Sequence, residues 1–179
     1  MADYLQRLDD GRGLNPLLQN YWMVIHPPVL FLGFASTLIP FAFAMGGLMT
    51  GRIKEWAPVA TPWAFFGVMA LGTGILMGAA WAYEALSFGG FWAWDPVENA
   101  SLVPWLTLVG AAHLMLVNKK KETSLFATLF LTLLTFILIL YSTFLTRSGV
   151  LGDTSVHSFT GDGMLPALVR FLLIFIGIS

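Results

Sequence analysis

The sequence predicts an all-α protein, a polytopic transmembrane helix bundle with about four full spans, a truncated fifth span and an outward-facing loop rich in tryptophan. Of its 179 residues, 57% are hydrophobic and only 11% are charged, whereas about a quarter of the residues of a soluble domain are charged. Several apolar stretches reach about 20 residues, which as a helix crosses the hydrocarbon core of a bilayer. None alternates as a strand would, and helices satisfy their backbone groups internally, as lipid requires.

The apolar stretches define the expected spans in chain order. We predict them at residues 29–49, 62–83, 100–117 and 124–145, with a fifth that begins near Leu165. Pro40 and Pro104 lie inside two of these spans, where a proline is tolerated but is expected to kink the helix.

The orientation of the bundle follows from its basic residues. The connections after the first and third spans hold five of the nine basic residues, namely Arg52, Lys54, Lys119, Lys120 and Lys121. Short loops rich in Lys and Arg stay in the cytoplasm. Residues 1–28, about 84–99 and 146–164 are therefore expected to face outward.

The ends of the chain predict a fragment of a longer membrane protein or one subunit of a split one. The first 25 residues hold no 7–15-residue apolar core of a signal peptide, and the chain stops at Ser179 inside an apolar stretch. We expect two parts, an outward N-terminal segment at 1–28 and a transmembrane core at 29–179 whose tryptophan loop covers 84–99.

Composition narrows the possible partners and cofactors. The net charge is −1, which gives no electrostatic reason to expect nucleic acid; membrane lipid is the expected surrounding. The chain has no cysteine, so disulfides, thiolate metal sites and covalent haem attachment to this chain are excluded.

Two of the three histidines fall on the predicted outer side with the tryptophan loop. His26 precedes the first span and His157 follows the fourth, and two imidazoles on separate connections can bind one haem iron from opposite faces. The alternatives are that His26, followed by Pro27 and Pro28, ends an extended segment leading to the helix, and that His157 is an ordinary loop residue.

Aromatic side chains in the loop would supply flat area for a porphyrin. Phe91, Trp92 and Trp94 follow Gly89 and Gly90, which suggest close approach of the backbone to something. The alternative is an interfacial belt, which applies most directly to Trp63 and Trp81.

The third histidine, His113, lies inside the third span, roughly 7 Å from its cytoplasmic end at 1.5 Å per residue. An ionisable residue within the bilayer is a functional hypothesis by default, here axial ligation of a buried haem or a proton relay. The alternative is a neutral ring bonded to a backbone carbonyl of a neighbouring helix.

Asp95 and Glu98 have the spacing of a capping box that opens the third helix, with Pro96 at its first position. This structural role is our preferred interpretation of Asp95. Backbone N–H groups at that helix start could also hold a haem propionate, and Arg147 could pair with a propionate or anchor the interface.

Three segments resemble the CcmF family of cytochrome c-type biogenesis proteins, within the wider haem-handling superfamily named for its Trp-rich WWD domain. They are NPLLQNYWMVIHPPVLFLGF (15–34), FGGFWAWDPVENASLVPW (88–105) and TRSGVLGDTSVHSF (146–159). The resemblance covers nearly the whole chain and implies a multi-pass protein of the bacterial inner membrane that serves c-type cytochrome maturation, as a subunit of a cytochrome c haem lyase. Family members are several times longer.

The resemblance also implies roles for individual residues. His26 and His157 match the outward histidines that hold a b-type haem received from a haem chaperone, for thioether attachment to the CxxCH cysteines of apocytochrome c with other maturation subunits. His113 matches one ligand of a second, structural b haem, whose other ligand is expected beyond Ser179. Ala93 stands at an aromatic-rich position of the family loop and cannot stack.

Two other function classes remain open at this stage. A haem or solute transporter predicts a line of polar residues through the spans, which here hold few charged or ionisable groups besides His113 and Arg170. A scaffold subunit that binds partners through its outer loops predicts no Soret absorbance after purification.

Overall fold

The computed structural model describes residues 13–87, 89–121, 123–155 and 163–179. Within those ranges all the long elements are α-helices, and two short 3-10 helices lie at Pro16–Leu18 and Gly152–Thr154. The α-helices are α1 Tyr21–Ser36, α2 Leu38–Met49, α3 Trp56–Ala85, α4 Pro96–Asn118, α5 Leu125–Arg147 and α6 Leu165–Ile178.

In the part of the chain that the structure describes, four helical stretches are long and apolar enough to cross a membrane, and α6 is a shorter apolar helix. The first stretch, Tyr21–Met49, combines α1 and α2. The predicted all-α bundle of about four spans and a short fifth is thus confirmed.

The first helix begins at Tyr21, eight residues before the predicted start of the span at residue 29, so His26, Pro27 and Pro28 lie inside α1. The interpretation of Pro27–Pro28 as the end of an extended segment is wrong. Asn20 supplies the start signal, because its side chain accepts a hydrogen bond from the Trp22 backbone N–H at 2.8 Å. Prolines are tolerated in transmembrane helices when neighbouring groups satisfy the carbonyls that they leave unbonded.

A break at Thr37 separates α1 from α2, three residues before Pro40. The Ser36 and Thr37 hydroxyls donate to the carbonyls of Gly33 and Phe34, both at 2.7 Å. Both acceptors lie in the last turn of α1, where helix carbonyls lose their usual backbone donors. Pro40 separately has no N–H to offer the Ser36 carbonyl four residues earlier. The break lies close to Pro40, whereas Pro104 lies inside the continuous helix α4; the kinks themselves stay predictions.

Small residues let α1 and α3 approach closely. A Cβ added to Gly33 would lie 2.5 Å from Leu71 Cα, and one added to Gly74 would lie 2.7 Å from Leu30 Cα. Close backbone approach at small residues is the usual way in which helices associate in membranes. This contact fixes how far α1 is shifted along the axis of α3, and it therefore fixes the turn of α3 that His26 faces.

The largest buried apolar cluster joins the halves of α2, α3, α4 and α5 that point away from the tryptophan loop. Phe41, Trp56, Leu108, Met115 and Phe136 are its largest members. The tryptophan loop therefore lies at one end of the bundle, and the lysine-rich connections lie at the other end, beyond this cluster.

Candidate functional site

The candidate site lies at the end of the bundle where α1 begins, α3 ends, α4 begins and α5 ends. We call this the loop end and define it by residues 13–26, 74–87, 89–98 and 147–155. Antiparallel neighbours bring these segments together although they are far apart in sequence. The predicted site residues that the structure describes at this end are His26, Phe91, Trp92, Trp94, Asp95 and Arg147.

His26 packs against the outer half of α3. Its Nδ1 lies 2.7 Å from the carbonyl oxygen of Gly74, and a Cβ added to Gly78 would lie 2.6 Å from its Cε1. A carbonyl oxygen can only accept a hydrogen bond, so Nδ1 carries the proton, and Nε2 is then the basic nitrogen of the neutral ring. Histidines that bind metals commonly hold their other ring N–H on a carbonyl in this way.

The segment that leads into α1 is tied to the end of α3 by three side-chain hydrogen bonds. Asn20 Nδ2 and Trp22 Nε1 donate to the two carboxylate oxygens of Glu84 at 2.9 and 3.0 Å. Trp81 Nε1 donates to the Leu17 carbonyl at 2.9 Å and is only 4% exposed. The belt interpretation of Trp81 is therefore wrong, whereas Trp63 is 43% exposed, as a belt residue would be.

Glu84→Ala should loosen this segment, because it removes two of the three ties. The bonds are exposed and each is worth about 1 kcal/mol, so amide protection across residues 13–20 should fall several-fold while the helices keep their protection. Hydrogen exchange measured by mass spectrometry tests this. Glu55→Ala is the matched control, since Glu55 pairs only with Arg52, at 3.8 Å, among the described residues; equal loss of protection in both variants would contradict the assignment.

The tryptophan loop presents its aromatic side chains in three different ways. Phe91 stacks on Tyr83 with ring centroids 4.3 Å apart and planes 5° apart. Trp94 is 74% exposed. Trp92 is half-buried, and its Nε1 is a buried donor with no acceptor among the described residues.

Trp94 is held in a strained backbone conformation. Its φ of 58° is the one positive value of a non-glycine residue in the described ranges. Asn99 Nδ2 donates to the Trp94 carbonyl at 3.0 Å, and the backbone N–H of Ala93 donates to Glu98 Oε2 at 2.9 Å. Strain of this kind persists where surrounding contacts over-determine it, often at functional sites.

Gly89 has a conformational role. Its φ is 71°, and a Cβ there would meet no atom of the described residues within 4 Å. Gly89 therefore allows the turn, and the close approach of the loop backbone to a ligand stays a prediction.

Asp95 forms the predicted capping box. Its Oδ2 accepts from the backbone N–H groups of Val97 at 3.1 Å and Glu98 at 3.3 Å, and Glu98 Oε2 accepts from the Asp95 N–H at 3.3 Å. The N–H groups that were expected to be available to a propionate at this helix start are therefore occupied by Asp95 itself.

The same carboxylate joins the tryptophan loop to the connection after α5. Ser155 Oγ donates to Asp95 Oδ2 at 2.9 Å, and both residues are buried. Ser155 precedes His157 by two residues, and His157 itself lies outside the described residues. Arg147 is exposed in the last turn of α5, at the same end of the bundle.

His113 lies away from the loop end, on α4. Its Nδ1 is 2.8 Å from the Val109 carbonyl of its own helix, and not of a neighbouring helix as the structural alternative expected. The ring is exposed on the outside of the described bundle, near Phe65, with centroids 6.4 Å apart. Nε2 is again the basic nitrogen of the neutral ring.

Sequence reasoning missed four residues that position the site: Gly78, Tyr83, Glu84 and Ser155. Only the Gly74–Gly78 pair carries a signal, the small-xxx-small spacing typical of helix contacts. The described residues contain no cluster of three or more His, Asp or Glu that could hold a metal ion.

The fold and the site together define a polytopic helical membrane protein. One end of its bundle carries the tryptophan loop and a histidine whose ring is hydrogen-bonded to a neighbouring helix. A family model described as Cytochrome C assembly protein matches residues 2–151. The chain belongs to this family.

Similar proteins with known names are also cytochrome c biogenesis proteins. The cytochrome c-type biogenesis protein CycK of Bradyrhizobium diazoefficiens is 46% identical over 94% of this chain and 26% of its own length. The cytochrome c-type biogenesis protein CcmF of Escherichia coli K12 is 43% identical over 93% of this chain and 25% of its own. A solved structure, Cytochrome c Heme Lyase CcmF, matches with a TM-score of 0.75 and 33% identity over 89% of this chain and 25% of that one. The chain thus spans about a quarter of the length of these relatives.

Proposed function

We propose that this chain forms the haem-presenting part of a c-type cytochrome maturation protein. In this proposal His26 and His157 hold the iron of a b-type haem at the loop end, which faces the periplasm from the bacterial inner membrane. The observation that carries it is the His26 ring, held by the Gly74 carbonyl so that Nε2 is its basic nitrogen. The names of the relatives support the coarser part of this proposal, a role in c-type cytochrome biogenesis.

The loop residues suit the remainder of a porphyrin. Phe91 and Trp94 offer exposed aromatic area for its edge. The buried Trp92 Nε1 has no acceptor among the described residues and is suited to a propionate oxygen, since buried donors are nearly always paired. Arg147 is placed at the same end for the second propionate. Asp95 acts indirectly, because it fixes the loop and the Ser155 segment that leads to His157.

Haem is the substrate here, and its vinyl groups take up the cysteine thiols. This chain would bind and orient the ring so that its vinyl edge faces the CxxCH segment of apocytochrome c, and orientation would supply most of the acceleration. A haem chaperone and further maturation subunits are the proposed partners. The exposed His113 ring supports a second b haem whose other ligand comes from outside this chain.

The test is the haem content of the detergent-purified chain after incubation with haem, from its Soret band and pyridine haemochrome spectrum. His26→Ala should remove most of the bound haem, because one of two axial ligands is lost, whereas His113→Ala should retain the loop-end haem. Thermal melts confirm that both variants are folded. Full haem content in His26→Ala would show that the ligand is wrong, and no Soret band in the unaltered chain would favour the scaffold.

A further inference from the structure

Glu84, near the end of α3, holds the start of α1, the helix that carries His26. Its two carboxylate oxygens accept hydrogen bonds from Asn20 Nδ2 at 2.9 Å and from Trp22 Nε1 at 3.0 Å. Asn20 is held at both ends of its amide, because its Oδ1 accepts from the Trp22 backbone N–H at 2.8 Å. Hydrogen bonds to a charged acceptor are among the stronger ones in proteins. We call these three bonded residues, Asn20, Trp22 and Glu84, the Glu84 network.

The network and the histidine lie on the same face of α1. Trp22 and His26 are four residues apart, so their side chains project from one side of the helix, one turn from each other. Their partners follow in reverse order along α3, as expected for antiparallel helices. Trp22 bonds to Glu84, whereas a Cβ added to Gly78 would lie 2.6 Å from His26 Cε1. A single helical turn therefore separates the Glu84 network from the proposed iron ligand.

Two prolines make the position of this turn depend on contacts with α3. Pro27 and Pro28 follow His26 directly within α1, and neither has a backbone N–H. The carbonyls of residues 23 and 24 therefore receive no hydrogen bond from the helix position four residues later. The first turn of α1 is thus joined to the rest of its helix by two fewer backbone bonds than in an uninterrupted helix. The Glu84 network supplies restraint at this turn from outside α1.

The His26 ring is sensitive to where this turn lies. Its Nδ1 is 2.7 Å from the Gly74 carbonyl oxygen, and this bond sets both the tautomer of the ring and the direction of Nε2. A hydrogen bond weakens steeply as its distance and angle depart from the ideal. A small displacement of the first turn of α1 would therefore release the ring from Gly74.

We propose that Glu84 is a positioning residue for His26. Its hydrogen bonds fix the first turn of α1 on α3, so that the His26 ring stays on the Gly74 carbonyl and directs Nε2 toward the haem iron. Glu84 does not touch the iron and acts only through the ring. The consequence for haem binding rests on the proposed function, whereas the consequence for the ring itself does not.

The first measurement needs no haem. A nitrogen NMR spectrum of isotope-labelled histidine rings in the detergent-purified chain, at about pH 8.5 where imidazole is neutral, shows which ring nitrogen carries the proton. The His26 signals are those that disappear in His26→Ala, and they should report the Nδ1–H form. Glu84→Ala should shift them toward the Nε2–H form that histidine prefers in water. Glu84→Gln, which keeps one acceptor oxygen, should give an intermediate shift, and the His113 signals should not change.

The second measurement is a haem titration of the same variants. Glu84→Ala should weaken haem binding about tenfold, the lower end of the range for groups that orient a metal-binding histidine. In a His26→Ala background the same substitution should change the affinity by no more than about twofold, because the effect passes through the ring. Pro27→Ala combined with Pro28→Ala restores two N–H groups to α1 and should also reduce the effect of Glu84→Ala.

The matched control is Glu55→Ala, which removes a carboxylate that pairs with Arg52 at the opposite end of the bundle. It should change neither the tautomer nor the affinity. An unchanged tautomer and affinity in Glu84→Ala, with haem lost in His26→Ala, would overturn the positioning role and leave the proposed function standing. A shifted tautomer in a chain that binds no haem would do the reverse. Equal losses of affinity with and without His26 would show that Glu84 does not act through the ring.

Discussion

Gly78→Ala is expected to remove most of the haem that we propose the loop end binds, although the substitution adds a single methyl group. The new Cβ would lie 2.6 Å from His26 Cε1 and 3.1 Å from its Nε2, so the ring must leave the Gly74 carbonyl. Loss of the group that orients a metal-binding histidine typically costs 10- to 100-fold in affinity, and we expect a loss of roughly this size in a haem titration of the purified chain.

Gly46→Ala is the control, because a Cβ at Gly46 meets no atom of the described residues within 4 Å and alanine favours the helix. A second measurement does not depend on haem. Gly78→Ala should destabilise the chain by about 1–3 kcal/mol through overpacking, and His26→Ala in the same chain should restore part of this loss, because it removes the ring that clashes. Independent, additive losses would show that the two residues do not touch.

Asp95→Ala is expected to destabilise the chain by about 2–4 kcal/mol, as the sum of a lost helix cap and a lost acceptor for the buried Ser155 hydroxyl. A thermal melt in detergent measures the change. Haem bound at the loop end should fall as well, since the loop and the segment that leads to His157 lose their common anchor.

Two variants separate the contributions of Asp95. Asp95→Asn keeps an oxygen that caps a helix nearly as well and should be close to the unaltered chain. Ser155→Ala leaves the helix cap in place and removes the hydrogen bond that links the two connections, whose loss should cost about 1 kcal/mol. If Asn and Ala at position 95 proved equally destabilising, the negative charge and not the cap would explain the role of Asp95.

Features set by neighbouring residues could be predicted from the sequence, and features set by distant ones could not. The spans follow from apolar length alone, and the capping box follows from Asp95 and Glu98 three positions apart. The start of α1 was missed because the bias of Pro27–Pro28 against a helix is local, whereas the packing of α1 on α3 that overrides it is tertiary.

The environment of His26 depends on the register of two helices. Gly74 and Gly78 lie 48 and 52 positions away in the sequence, and no local pattern fixes which turn of α3 faces the ring. Ser155 is a single hydroxyl 60 residues from its partner Asp95, without any periodicity that could reveal it. The histidines could be singled out from the sequence because ionisable residues are rare in so apolar a chain, and their role as ligands stays a prediction.

The positive φ of Trp94 lowers the stability of the fold at a residue whose indole is exposed and which we propose contacts haem. The left-handed backbone conformation costs an L-residue about 1–2 kcal/mol, whereas it costs glycine almost nothing. A directed-evolution screen that rewarded only thermal tolerance would therefore drift toward glycine at residue 94 and discard the exposed indole. Mutant libraries designed to raise the thermal stability of this protein should therefore leave Trp94 unchanged.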